Sequence, residues 1–193
     1  LSNASKASCT PSYGEESIEK HSRGCAFFCD YYFIFVLSET IKRGQIMLDF
    51  NNAIREVAKR FNAQIKEISP SVYALDIPFV TKGGNNRYQF VYAWVVKGRA
   101  KGRDCFYFNS KVGTYHSQIN LKKIVREAGF ANSATITIID DKQTDGSPCE
   151  TLIVQAAPLA EHVTSIDEMA DIIWEVAELA DVLEEKYFGG DKY

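Results

Sequence analysis

The stretch Tyr88–Val96 constrains the fold of this chain more than any other. Tyr88, Phe90, Tyr92 and Trp94 alternate with Gln89, Val91, Ala93 and Val95. Successive side chains of a strand point to opposite faces, so one face would be aromatic and the other largely aliphatic. A sheet with helices on one face ordinarily alternates apolar with polar. This strand therefore reads in one of two ways. Either it is central and covered on both faces within one chain, or its second face meets a partner. Leaving such side chains wet forgoes roughly 1.5–3 kcal/mol each.

The surrounding pattern predicts an α+β domain. Leu48–Ala63 is expected to be a helix with Phe50, Ile54, Val57, Ala58 and Phe61 on one face and Asp49 as its cap or first-turn anion. Ser69-Pro70 punctuates the strand region that follows. Tyr73, Leu75 and Ile77 alternate with Val72, Ala74 and Asp76, and Pro78 ends that strand or puts it at an edge. Thr81–Asn86 and Gly98–Gly102 are expected to be turns, the second leading into a strand centred on Cys105–Asn109. A short helix capped by Ser117 or Asn120 is expected to bury Leu121, Ile124, Val125 and Ala128 and to stop at Gly129. Ala134–Asp140 and Glu150–Ala157 are two further strands joined by a hairpin loop. Ser165–Glu168 has the S-x-x-E pattern of a capped helix start. Ile166, Met169, Ile173, Val176, Ala180, Leu183 and Tyr187 then recur at helical spacing until Gly189-Gly190. The expected order is α-β-β-β-α-β-β-α, a mostly antiparallel sheet with helices packed on it.

Residues 1–46 read differently from residues 47–193, which form the expected single domain. Leu1–Glu19 is Ser-rich and aperiodic, and Cys25–Leu37 is a dense aromatic run too short to span a membrane. The segment fits a leader, disordered or not native. Lys42-Arg43-Gly44 is compatible with a purine-rich ribosome-binding sequence ahead of a start at Met47. An extra strand covering the core and a membrane-associating leader stay open, and no function is read from this segment.

Composition narrows the functional classes. Apolar residues make up 46% and charged residues 24% of 193 residues, with a formal net charge of −3. That balance fits a globular domain and offers no overall basic field for nucleic acid. The five cysteines, Cys9, Cys25, Cys29, Cys105 and Cys149, contain no C-x-x-C pair, and His21, His116 and His162 sit in no zinc spacing. Unpaired thiols in a reducing cytoplasm are expected. No nucleophile, P-loop or zinc-protease motif is present, so no enzyme, cofactor, metal or small-molecule substrate is expected. Asp140–Gly146 superficially suggests a calcium loop, but Gln143 and Leu152 stand where ligands are needed, and a surface turn is expected.

The element order over Met47–Lys186, the short helix LKKIVREAGF and the tail Ala180–Asp191 together resemble the class I type III secretion chaperone fold and the YbjN-like proteins. The resemblance implies a small acidic protein, often dimeric, that binds polypeptide partners without a cofactor. The expected function is therefore non-enzymatic protein binding, chaperone-like or adaptor, with a polypeptide client or a second copy as partner. Tyr88, Phe90, Tyr92 and Trp94, or Val91, Ala93 and Val95 on the opposite face, are the candidate contacts. The alternative is a nucleic-acid-binding module using Lys97, Arg99, Lys101 and Arg103, since a flexible basic loop can neutralise phosphates. A solvated hairpin tip whose charges discourage edge pairing explains the same residues.

Overall fold

The structure is a computed structural model that describes residues 48–80 and 86–189. The expected leader, the start at Met47, Gly190 and all but the last residue of the Thr81–Asn86 turn lie outside the described residues.

The elements run α1 (Phe50–Arg60), β1 (Gln64–Ser69), β2 (Val72–Val80), β3 (Asn86–Ala100), β4 (Arg103–Thr114), α2 (Leu121–Ala128), β5 (Thr135–Lys142), β6 (Pro148–Ala156) and α3 (Ile166–Phe188), with a short 3-10 turn at Ala160–His162. All six strands form one antiparallel sheet in the order β1-β2-β3-β4-β6-β5. The α+β expectation with helices on a mostly antiparallel sheet is met. The element order is corrected: four strands, not three, precede α2.

The strand missing from the expected order is β1. Its sequence QIKEIS alternates only weakly, and five of its six residues are exposed. A charged, short edge strand blunts unwanted pairing and by the same token carries little hydrophobic period. Pro70 and Ser71, the latter at φ 60°, turn the chain from β1 into β2. β2 does not end at Pro78 but continues to Val80. The pairing with β1 stops at Asp76, so Pro78 sits where β2 itself is the sheet margin and its missing N–H leaves no β1 acceptor unmet.

One face of the sheet carries the helices. Tyr73, Ala93, Phe108 and Ala156 share a cross-strand row on that face, alternating large with small, and all four are buried. Leu75, Ile77, Val91, Val112, Leu152 and Val154 fill the same layer beneath Met169, Ile173, Val176, Ala180 and Leu183 of α3. Ala170, Ile172 and Ala177 are buried as well, a stripe wider than the two-position seam of a helix pair. Trp174 is clamped between Phe61 and Phe79 at centroid distances of 5.5 and 4.9 Å, joining α1, α3 and β2.

The caps follow the sequence. The Asp49 carboxylate accepts from the Asn51 and Asn52 amides, Asn120 accepts from the Lys123 amide, and the Ser165 hydroxyl accepts from the Glu168 amide at 3.1 Å. Glu168 reaches back to the Thr164 amide at 2.9 Å, one residue beyond the usual reciprocal bond. Gly189 ends α3 at φ 81°. The α2 stripe is corrected: only Ile124 is fully buried, and Val125 is 53% exposed. Gly129 ends α2 in a right-handed conformation, so it does not act through glycine's left-handed freedom.

Candidate functional surface

The face of β3 away from the helices is the candidate surface. Val91 and Ala93 are fully buried under the helices, which removes two members of the aliphatic alternative, and Val95 packs partly buried against the same core. The aromatic set lies on the other face. Tyr88 is 52% and Phe90 42% exposed, while Tyr92 and Trp94 are half-buried.

The register brings further residues to that face. Trp94 lies opposite Val72 and Tyr107, and Tyr92 lies opposite Ala74 and Asn109. Trp94 and Tyr107 pack at 4.5 Å between ring centroids with a 40° tilt, a favourable offset for aromatic quadrupoles. The Tyr107 hydroxyl hydrogen-bonds Gln155 on β6. Ile68, Val72, Tyr92, Trp94, Asn109 and Lys111 line an open groove of about 460 Å³. A second hollow of about 440 Å³ continues past Trp94 and Val72 to Leu48, Asn51, Asp104 and Ala160. Ile68 and Val72 were not singled out from the sequence. Ile68 sits beside the register break at the end of β1 and shares the outward parity of Gln64 and Lys66, so strand alternation puts it on this face.

A carboxylate also stands beside the exposed aromatic row. Asp76 lies opposite Phe90, and burial raises its pKa above the ordinary carboxylate value. A raised acid favours the protonated fold, so its stabilising effect is present at low pH and lost as pH rises through the folded value. Asp76→Asn is therefore expected to show a higher Tm than the parent at pH 7, with the difference vanishing below the unfolded carboxylate range. Thermal melts across pH would check this, and a lower Tm at pH 7 would contradict it.

The basic hairpin is tied into the chain. β3 does not stop at Val96; a break in register near Gly98, at φ 63°, carries it on to Ala100, and Lys101-Gly102 make the tight turn. Lys97 pairs with Asp104 at 2.7 Å, Arg103 pairs with Glu161 at 2.9 Å, and the Arg99 guanidinium lies 5.4 Å from the Tyr107 ring centroid. The Lys97 ammonium and the Gly98 amide hold Asp104 below its ordinary pKa. Lys101 occupies the exposed tip.

Other sequence candidates resolve simply. In the Asp140–Gly146 segment, Asp141 is bonded to Lys111 at 2.7 Å and to Thr151 at 3.2 Å, and Asp145 closes the turn onto Ser147. Cys105 and Cys149 are both free thiols, the first buried. Among the described residues no group of three or more His, Cys, Asp or Glu side chains is placed to hold a metal ion. No helix among them is long and apolar enough to cross a membrane. No family model, curated protein or solved structure matches this chain.

Proposed function

We propose that this chain is a non-enzymatic protein-binding domain, chaperone-like or adaptor in kind, that holds an extended polypeptide segment against the open face of its sheet. The observation that carries the reading is the row Tyr88, Phe90, Tyr92 and Trp94, which faces away from the helices with Tyr88 and Phe90 about half exposed beside the Ile68–Trp94 groove. A groove floored by aromatic rings and edged by Asn109 and Lys111 suits a strand-like segment with apolar side chains on one side and polar backbone along its length. The resemblance to class I type III secretion chaperones and YbjN-like proteins points the same way, and a homodimer belongs to the same proposal. The fourth strand before α2 departs from the element order on which that resemblance rests.

Trp94 reports directly on this surface. In a Trp174→Phe background it is the only tryptophan left. Titration with an extended aromatic-aliphatic peptide is expected to shift its emission to the blue. Phe90→Asp is expected to weaken that binding about tenfold or more, because removing one buried aromatic contact costs roughly 1.5–3 kcal/mol. Emission that no such peptide moves, or unchanged affinity in Phe90→Asp, would refute the reading. The nucleic-acid alternative predicts instead a steeply salt-dependent interaction lost on neutralising Lys97, Arg99, Lys101 and Arg103. The internal partners of Lys97, Arg99 and Arg103 weigh against it.

A further inference from the structure

The two margins of the sheet differ in kind. β1 carries Lys66 and Glu67 at its centre. A two-fold axis perpendicular to a sheet pairs residues of the same parity, because directly opposed residues share a face. The two registers that pair most of β1 with its own copy therefore set Lys66 against Lys66 or Glu67 against Glu67. Like charges directly opposite destabilise a strand pair, so this margin is guarded against itself.

β5 has no such guard. Its sequence begins Thr135-Ile-Thr-Ile-Ile, and among the described residues it pairs only with β6. With the two-fold axis at Thr137, Thr137 meets the second copy's Thr137. Ile136 then meets the second copy's Ile138, and Thr135 meets its Ile139. Thr–Thr and β-branched pairs are favourable cross-strand neighbours. Asp140, Asp141 and Lys142 fall outside this five-residue overlap, so no like charges are opposed. Val125 of α2, a helix that touches β5, and Phe130 just after it are exposed apolar side chains, at 53% and 91%. We infer that β5 is the pairing edge for a second copy of this chain, giving one continuous twelve-stranded antiparallel sheet.

The inference deepens the homodimer part of the proposed function and rests on it. Parity fixes a consequence. The axis keeps the helix layers of both copies on one side and their aromatic faces on the other, so a bound segment would see one extended surface.

The test is the solution mass of the full chain by light scattering, with two variants at one position. The parent chain is expected at twice its 21.7 kDa mass. Thr137→Lys places two ammonium groups opposite each other at the axis, copying the β1 guard, and is expected to give a monomer with an unchanged circular dichroism spectrum. Thr137→Cys is expected to form a reducible dimer crosslink on oxidation that the parent, with its own cysteines, does not form. A dimer that persists in Thr137→Lys, with no added crosslink in Thr137→Cys, would overturn the edge assignment and leave dimerisation to another surface. A monomeric parent would remove both this inference and the homodimer reading, while Trp94-reported peptide binding would still stand. A monomeric parent whose peptide binding is lost in Thr137→Lys would show that the edge takes a client strand instead.

Discussion

Arg87→Met is expected to lower the unfolding free energy by roughly 3–5 kcal/mol, the range found when one partner of a buried ion pair is removed. Arg87 has the inward parity of β3, directly opposite Phe79, and only 9% of it is exposed. Its guanidinium meets Asp181 of α3 at 3.0 Å and Glu185 at 3.4 Å, and the Asp181 side chain is itself largely enclosed. The buried Glu184 is a neighbour in sequence, on the same helical turn. Removing the cation strands the Asp181 carboxylate in a low-dielectric layer, and that desolvation, more than the lost attraction, sets the cost, while Glu185 stays largely in water. Against a total stability of about 5–15 kcal/mol such a loss is large. Arg87→Lys should recover part of it, since a point charge replaces a planar fork. Arg87→Met combined with Asp181→Leu should recover more, because the uncompensated charge goes with its partner. Urea denaturation of the four proteins checks the series. A single Arg87→Met variant as stable as the parent would show that α3 is not held to the start of β3 by this pair.

That ion pair also marks the limit of what the sequence discloses. Arg87 and Gln89 occupy inward positions of a strand whose next inward residues, Val91 and Ala93, are buried and aliphatic. Strand periodicity gives their parity but not their partners. The partners lie some ninety residues away on α3 for Arg87, and 21 and 22 residues away on β4 for Gln89, which donates to the Ser110 hydroxyl at 2.7 Å and to the Lys111 carbonyl at 2.9 Å. The same holds for Glu175, whose carboxylate accepts from the Ser133 and Ala134 amides and so fixes the entry to β5. Local signals carry the rest. The caps at Asp49, Asn120 and Ser165, the α3 stripe and the β2 alternation depend on neighbours within a few residues and are legible. β1 is not, because an edge strand's charges erase the period by which strands are found. Val125 fails for a related reason. An eight-residue helix fully inserts one side chain, Ile124, while Leu121 packs partly buried against the core and Val125 turns outward. On β3 the sequence shows two apolar faces without saying which one the helices take. The choice follows from volume. A helix over the sheet centre needs small residues such as Ala93 and Ala156 beside Phe108, and the face built from Tyr88, Phe90, Tyr92 and Trp94 offers none on that strand.

The same volume argument yields the other large effect, and it separates the two faces by a single substitution type. Phe108 is fully buried in the row Tyr73–Ala93–Phe108–Ala156, flanked on both sides by alanines. Phe108→Ala leaves three consecutive alanines beneath α3, a void that neighbouring small side chains cannot fill. Truncating a buried phenylalanine costs roughly 3–5 kcal/mol, lost transfer and residual cavity together. For a chain of this length that is a Tm lowered on the order of 10 °C. Phe90→Ala makes the same chemical change one strand away on the opposite face, where 42% of the side chain is already exposed. It is expected to cost roughly 1–2 kcal/mol, because only the covered part of the ring returns to water and no enclosed cavity is left. Paired calorimetric melts of the two variants measure the asymmetry of the sheet directly. Equal losses would mean that Phe90 is as enclosed as Phe108 in solution, and the aromatic face would then be interior rather than a surface on which a polypeptide can dock.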